Sequence, residues 1–249
     1  MAFKEMVGQK VPNVTFHIRQ DGEWVDVTTD ELFDGKKVVL FSLPGAFTPT
    51  CSSMHLPRYN ELYGKVKTLG VGDIICVSVN DTFVMNAWQD DQDCANITII
   101  PDGNGEFTDA MGRLVDKEEL GFGKRSWRYS MLVDDGVIVK IFDEPQKDGA
   151  PFEASDADTM IKYLNPKWID KPSVAVISKE GCPFCMKAKE ALTARGVTYE
   201  ELVLGRDITT TAVRAMTGHE TVPQVFVGGK HIGGSEDLEK YLTSGECVL

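Results

Sequence analysis

Lys37-Val38-Val39-Leu40-Phe41-Ser42-Leu43 runs directly into Pro44-Gly45-Ala46-Phe47-Thr48-Pro49-Thr50-Cys51, and this stretch decides the fold. The first seven residues are apolar at nearly every position, the pattern of a strand buried on both faces in an α/β sheet. The Pro- and Gly-rich segment after it is a loop. Met54–Leu69 then shows helical spacing at Leu56, Tyr59, Leu62, Tyr63 and Val66. This order places Cys51 in the first helical turn. Unpaired amide N–H groups and the positive end of the helix dipole there favour the thiolate, the nucleophilic form of cysteine. Thr48, three residues earlier, can offer its hydroxyl to the same pocket, and Pro44 and Pro49 stiffen the loop around it. On placement alone, a reactive thiol and an inert helix-start residue fit equally well.

Outward from this stretch, strands and helices alternate. Asp73–Val79 reads as a second buried strand, Thr82–Gln89 as a short helix and Ile97–Ile100 as a β-rich segment. Met131–Val133 and Val137–Phe142 flank Asp134-Asp135-Gly136, a hairpin signal, and Ser155–Leu164 reads as a closing helix. Asp102-Gly103-Asn104-Gly105-Glu106 lacks the twelve-residue calcium-loop pattern and reads as a hairpin turn. Leu164–Pro172, with Pro166 and Pro172 around a short polar stretch, marks a linker. After it the same logic recurs at smaller scale. Ser173–Ser178 is a strand, Phe184–Ala194 a helix closed by Gly196, Thr198–Leu204 a strand and Thr209–Met216 a helix. Gln224–Val227 and His231-Ile232 flank Gly228-Gly229 as a tight hairpin, and Glu236–Leu242 is a final helix. Each part places a cysteine where an early strand passes through a loop into a helix. The fold expected is α/β, with residues 1–165 and 172–249 as two related domains joined by 166–171.

The chain has 249 residues, 26 basic against 38 acidic, and a net charge of −12. Hydrophobic residues make up 42%, which excludes a disordered or collagen-like chain. So acidic a surface repels phosphates, so no nucleic-acid partner is expected. The opening Met1–Met6 has no apolar leader run, and the longest apolar stretches are strand-sized where a membrane helix needs ~20 residues. A cytoplasmic protein without a membrane partner is expected. In a reducing compartment the six cysteines, 51, 76, 94, 182, 185 and 247, are fillers, metal ligands or reactive thiols rather than structural disulfides. Cys76 lies in a buried strand and reads as inert core. Cys94, in Asp90-Asp91-Gln92-Asp93-Cys94, faces like charges that disfavour its thiolate. Cys247 reads as a tail residue.

Cys182-Pro183-Phe184-Cys185, at a strand-to-helix junction, reads as a redox motif. Its alternative is a zinc half-site, but zinc takes four ligands, no second pair is present, and His219 and His231 are isolated. No metal is expected.

Two resemblances sharpen the reading. Pro44…Thr48…Cys51 resembles the Pro-x-x-x-Thr-x-x-Cys signature of peroxiredoxins, and Thr48–Ser52 with His55-Leu56-Pro57 looks like the peroxiredoxin-5 type. The likeness continues through Val77–Asp81, Asp102–Phe107 and Arg128–Met131 and covers nearly all of residues 1–165. It implies that Cys51 is the thiol that attacks peroxide. Thr48, the Cys51 amide and Arg128 would then stabilise the charge on the departing oxygen. Cys182–Cys185, Thr221-Val222-Pro223 and Gly233–Leu238 resemble glutaredoxin over about residues 172–243. This implies that Val222 and Pro223, the latter cis, pair with the glutathione cysteine. The N–H groups of Gly234-Ser235-Glu236 would hold one glutathione carboxylate and Lys179 the other, with Thr221 and Phe184 lining the site. Phe184 stands where many glutaredoxins have Tyr. The two resemblances together imply two thioredoxin-like domains, each a central mixed sheet flanked by helices.

Many peroxiredoxins carry a resolving cysteine shortly before the last helix, whereas Gly149–Ser155 contains none. Oxidised Cys51 therefore needs an external thiol. The expected enzyme is a glutathione-dependent peroxidase acting on hydrogen peroxide and alkyl hydroperoxides, with Cys51, Thr48, Pro44, Arg128, Cys182 and Cys185 as its catalytic residues; Cys182 regenerates Cys51, and a monothiol route through it leaves open whether Cys185 is required. No cofactor is bound, and glutathione is the reducing co-substrate. A homo-oligomer, dimer or tetramer, is expected. Asn165–Lys171 reaches at most ~25 Å, which favours a glutaredoxin-to-peroxiredoxin contact between chains. The alternatives are a peroxide sensor that relays a disulfide to a client, and a general disulfide reductase with an inert first domain.

Overall fold

The computed structural model describes residues 3–147 and 151–244. Its contacts divide the chain into two units, residues 1–168 and 169–249.

The first unit begins with a hairpin, β1 (Thr15–Gln20) and β2 (Glu23–Thr28), followed by a short helix α1 (Thr29–Phe33). Strand β3 (Lys37–Leu43) comes next, then a π-helical turn over Cys51–His55 continuous with α2 (Leu56–Thr68). After these come β4 (Asp73–Ser78), α3 (Thr82–Asp91), β5 (Thr98–Pro101), α4 (Glu106–Ala110), a small ladder of β6 (Leu114–Asp116) and β7 (Lys124–Ser126), the hairpin β8 (Tyr129–Asp134) and β9 (Val137–Asp143), and α5 (Ala157–Leu164).

Five strands form one mixed sheet in the order β5-β4-β3-β8-β9, with β3 parallel to β4 and antiparallel to β8. Because β3 is central, its alternating residues feed two cores. Val39, Phe41 and Leu43 pack with Leu56, Tyr59, Leu62 and Val66 of α2 and Met160 and Ile161 of α5. Val38 and Leu40 pack on the other face with Phe16, Phe33, Phe107 and Met111. Each such side chain contributes about 1.5–3 kcal/mol relative to exposure.

Segment 102–106 departs from the hairpin reading. Gly105, at φ +73°, opens α4, and the buried Asp102 carboxylate accepts the N–H groups of Phe107 (3.2 Å) and Thr108 (2.8 Å). An acidic residue ahead of a helix caps its unpaired amides, and this capping outweighs the turn signal of the two glycines. Within the stretch read as linker, Trp168 packs on the first core with Lys65 Nζ 5.1 Å from its ring centroid. Five residues separate it from the next strand.

The second unit contains β10 (Val174–Ser178), α6 (Pro183–Thr193), β11 (Glu200–Val203), α7 (Thr210–Thr217), β12 (Gln224–Val227), β13 (Lys230–Gly233) and α8 (Ser235–Thr243). Its mixed sheet has the order β11-β10-β12-β13, with β10 parallel to β11 and antiparallel to β12. Gly228 (φ +55°) and Gly229 (φ +78°) form the β12–β13 turn, which needs left-handed backbone at both central positions. Helix α6 is capped by Ala194, with Gly196 two residues beyond it.

Candidate active sites

Cys51 is fully buried at the start of the π-helical turn, where the Leu56 N–H reaches back to the Cys51 carbonyl. Such a widened turn is an uncommon element that often marks a functional position. The loop before it is fixed by Asn80, whose Oδ1 accepts from the Ala46 N–H (3.1 Å) and the Ser78 hydroxyl (2.8 Å). Thr48 Oγ1 donates to the Gly45 carbonyl at 2.8 Å, so in this state its proton serves the loop.

Arg128, 77 residues after Cys51 in sequence, is only 4% exposed. It lies between β7 and β8, and one guanidinium nitrogen, Nη2, is 3.4 Å from Cys51 Sγ. The other, Nη1, donates to His55 Nδ1 at 3.0 Å, and the guanidinium sits 5.4 Å from the Phe152 ring centroid. His55 Nε2 lies 3.1 Å from the Ser155 carbonyl. An arginine only donates and a carbonyl only accepts, so these partners define His55 as neutral with its proton on Nε2. Burial, reinforced by Arg128, holds the His55 pKa well below the ordinary range. The Phe41 ring stacks on Tyr59 at 4.2 Å and lies 4.8 Å from His55, and the Tyr59 hydroxyl also donates to the Ser155 carbonyl (3.0 Å).

His55 and Phe152, with Ser155 behind His55, form a cage around Arg128 that no local sequence pattern marks. Glu144 lies behind it, 1% exposed. Cys76 and Cys94 are both buried. Burial holds the Cys76 thiol well above its ordinary range and pushes Cys94 up to about 11, with Asp93 and Asp90 adding to the effect. Burial is thus the leading cause at Cys94, ahead of the like charges that the sequence suggested. Pro44 is part of the loop that follows β3. Cys247, with Gly149 and Ala150, lies outside the described residues.

In the second unit Cys182 is the N-cap of α6 and its Sγ accepts the Cys185 N–H at 3.2 Å. Cys182 and Cys185 are disulfide-paired, with Cys182 partly exposed and Cys185 buried. The Val222–Pro223 peptide is cis, and the Val222 carbonyl is 3.8 Å from Cys182 Sγ. A Cβ built at Gly234 would lie 3.8 Å from the Pro223 carbonyl, so these two loops adjoin. Gly234 is the N-cap of α8, but its N–H is taken by Asp237 Oδ2 at 3.1 Å. Ser235 is buried, while Thr221 and Glu236 are exposed. Lys179 and Phe184 are exposed on either side of Cys182 in sequence. Gln224, buried and unanticipated, donates to the Thr221 carbonyl (2.8 Å) and accepts from His231 Nε2 (2.7 Å), which ties the loop to β13. Among the described residues, no three His, Cys, Asp or Glu side chains converge as metal ligands, and no helix is long and apolar enough to cross a membrane.

Comparison with known proteins agrees with this two-part geometry. The Redoxin family model matches residues 6–161 and the Glutaredoxin family model residues 174–232. The chain is 64% identical over 236 residues to the hybrid peroxiredoxin hyPrx5 of Haemophilus influenzae, covering 95% of this chain and 98% of that one. It is 54% identical over 183 residues to peroxiredoxin sll1621 of Synechocystis, covering 68% of this chain and 96% of the relative. Among solved structures, reduced Prx3 of Vibrio vulnificus in complex with H2O2 superposes with a TM-score of 0.61 at 43% identity, covering 65% of this chain and 100% of that one. The 1-Cys peroxiredoxin of Plasmodium falciparum gives a TM-score of 0.61 at 35% identity, covering 65% and 99%. The buried Cys51–Arg128 pair on one thioredoxin-like unit and the Cys-Pro-Phe-Cys turn on another therefore belong to a member of the hybrid peroxiredoxins, peroxidases in which a peroxiredoxin and a glutaredoxin share one chain.

Proposed function

We propose that the chain reduces hydrogen peroxide and alkyl hydroperoxides with electrons from glutathione. The observation that carries the reading is the pairing of two unlike sulfurs. Cys51 is buried beneath a guanidinium 3.4 Å away, and Cys182 is partly exposed at a helix start. In the first step the Cys51 thiolate attacks one peroxide oxygen, the O–O bond breaks, and the alcohol or water leaves as Cys51 becomes sulfenic acid. Arg128 Nη2 is placed to donate to sulfur and to the peroxide oxygens as charge moves between them. Thr48 rotates its hydroxyl from Gly45 to take part.

Glutathione then condenses with the sulfenic acid, releasing water and forming a Cys51–glutathione disulfide. Once two glutathiones have reduced the Cys182–Cys185 disulfide and left as oxidised glutathione, the Cys182 thiolate attacks the glutathione sulfur on Cys51, frees Cys51 and becomes the mixed disulfide. A second glutathione attacks that disulfide, releases oxidised glutathione and restores Cys182. The partly exposed Cys182 is the attacking sulfur, and the Val222 backbone, its carbonyl 3.8 Å from that sulfur, pairs with the extended tripeptide. Lys179, Phe184, Thr221, Pro223, Gly234, Ser235 and Glu236 complete the glutathione site. On this route the buried Cys185 is dispensable.

The connector favours delivery between chains of a homo-oligomer. With Trp168 packed on the first unit, the five residues before β10 reach about 17 Å. A Cys182→Ser chain exposed to one equivalent of peroxide and then glutathione should accumulate glutathione on Cys51, read by peptide mass spectrometry. Absence of that adduct, with Cys51 returning directly to the thiol, would overturn the sequence of steps.

A further inference from the structure

The buried Glu144 has no part in the reaction described above, yet it binds both sides of the Arg128 cage. Its Oε1 accepts the N–H groups of Ala154 (3.0 Å) and Ser155 (2.8 Å) and the Ser155 hydroxyl (2.7 Å), and its Oε2 accepts the Glu153 N–H (2.7 Å). Its backbone N–H donates to the Arg128 carbonyl at 3.1 Å, and its own carbonyl accepts from Trp127 Nε1 at 2.9 Å. One residue thus anchors the backbone of Arg128 and the segment that carries Phe152, the ring beside Arg128, and Ser155, the partner of His55.

That segment touches the reacting sulfur through a short series of contacts. The Ser155 carbonyl holds the Nε2–H of His55, leaving the Nδ1 lone pair facing Arg128 Nη1. With Nη1 held there, the planar guanidinium directs Nη2 at Cys51 Sγ. Phe152, in the same segment, covers Arg128 and makes an edge contact with His55 at 5.0 Å. Cys51 is fully buried, so a reagent reaches its sulfur only when the side chains packed around it move.

We propose that Glu144 is a positioning residue for peroxide reduction: it holds residues 153–155 so that Ser155 sets His55, His55 sets Arg128, and Phe152 stays packed on that arginine beside Cys51. The inference rests on the reading of Cys51 as the peroxide-reducing thiol. A carboxylate suits the task because it accepts at both oxygens, whereas a carboxamide has one acceptor and brings donors that face other donors. Glu144→Gln therefore leaves buried N–H groups unpaired, and this packed arrangement loses population.

The test uses the full chain without glutathione and follows a single oxidation of Cys51 by hydrogen peroxide. Glu144→Gln should slow it about tenfold, and Ser155→Ala, which removes one of the four accepted bonds, about threefold. In an Arg128→Ala background, Glu144→Gln should slow it no further, because it acts through that arginine. In parallel, N-ethylmaleimide labelling read peptide by peptide should rise about tenfold at Cys51 and stay unchanged at Cys76 and Cys94. A full additional loss in the Arg128→Ala background, unchanged oxidation and labelling, or all three cysteines rising together would overturn the proposal. Failure of wild-type Cys51 to be oxidised by peroxide would instead overturn the reading beneath it.

Discussion

Replacing Arg128 by lysine keeps the positive charge and removes the fork. In the native site Nη2 reaches Cys51 Sγ at 3.4 Å while Nη1 reaches His55 Nδ1 at 3.0 Å, on a side chain that is 4% exposed. A lysine ammonium is a single donor centre and cannot hold both positions in one plane. It therefore loses one hydrogen bond of the charged kind, about 1.5–3 kcal/mol, which corresponds to a roughly ten- to hundredfold slower oxidation of Cys51. Alanine removes the donor altogether, and a loss on the order of 10²–10³ is expected. It also leaves His55 Nδ1 buried without its donor, which should cost about 1–3 kcal/mol in urea unfolding. The assay is stopped-flow oxidation of the thiol by hydrogen peroxide without glutathione, with unfolding measured on the same samples. Exchange on a small mixed disulfide should be untouched, because Cys182 lies in the other unit. Wild-type oxidation rates in both Arg128 variants would refute the reasoning.

Cys185→Ser should keep glutathione-driven peroxide turnover within a few-fold of wild type, and complete loss would show that the second thiol is required. Mixing Cys51→Ser chains with Cys182→Ser chains should restore turnover after subunit exchange, and no recovery would count against delivery between chains. Burial raises the Glu144 pKa, but hydrogen bonds from Ala154, Ser155 and Glu153 outweigh it, so the folded carboxyl sits below its ordinary range. The unfolded chain then binds the proton more tightly, and this contribution to stability is present above about pH 4.5 and is lost as pH falls through the folded value. Glu144→Gln should flatten that acid limb of the urea midpoint plotted against pH, and an unchanged limb would exclude Glu144 as a contributor. At pH 8, Cys94, with its thiol pushed up to about 11, should resist labelling in the folded protein and react once it is unfolded.

The architecture was legible because each cysteine follows a strand whose hydrophobic pattern is unambiguous. Val38–Phe41 reads as buried on both faces, and the structure places its alternate residues in two separate cores. Helix α2 was legible in the spacing of Leu56, Tyr59, Leu62 and Val66, all of them buried. The β1–β2 hairpin, turned by Asp21-Gly22, gives a weak signal because β2 is short and largely exposed, with Val25 and Val27 alone on its apolar side. The π-helical turn at Cys51–His55 has no sequence signal of its own. Arg128 stood out only through the family resemblance, since beside Lys124 and Arg125 it looks like one more surface charge. The hydrogen-bonding roles of His55, Glu144 and Ser155 are invisible in the sequence for a topological reason. Ser155 meets His55 across 100 residues and Arg128 meets it across 73, and local periodicity carries no information about such pairs. Glu144 also reads as an ordinary solvated acid until its four donors are seen around it.

The account stands on two sulfurs on separate folded units sharing one catalytic cycle. The most direct measurement is steady-state consumption of hydrogen peroxide by the full chain with glutathione and a coupled glutathione reductase, comparing wild type with Cys182→Ser. The wild type should turn over continuously, while Cys182→Ser should consume about one peroxide per Cys51 and then slow sharply. Equal continuous turnover by both proteins, or no consumption by the wild type, would contradict the account.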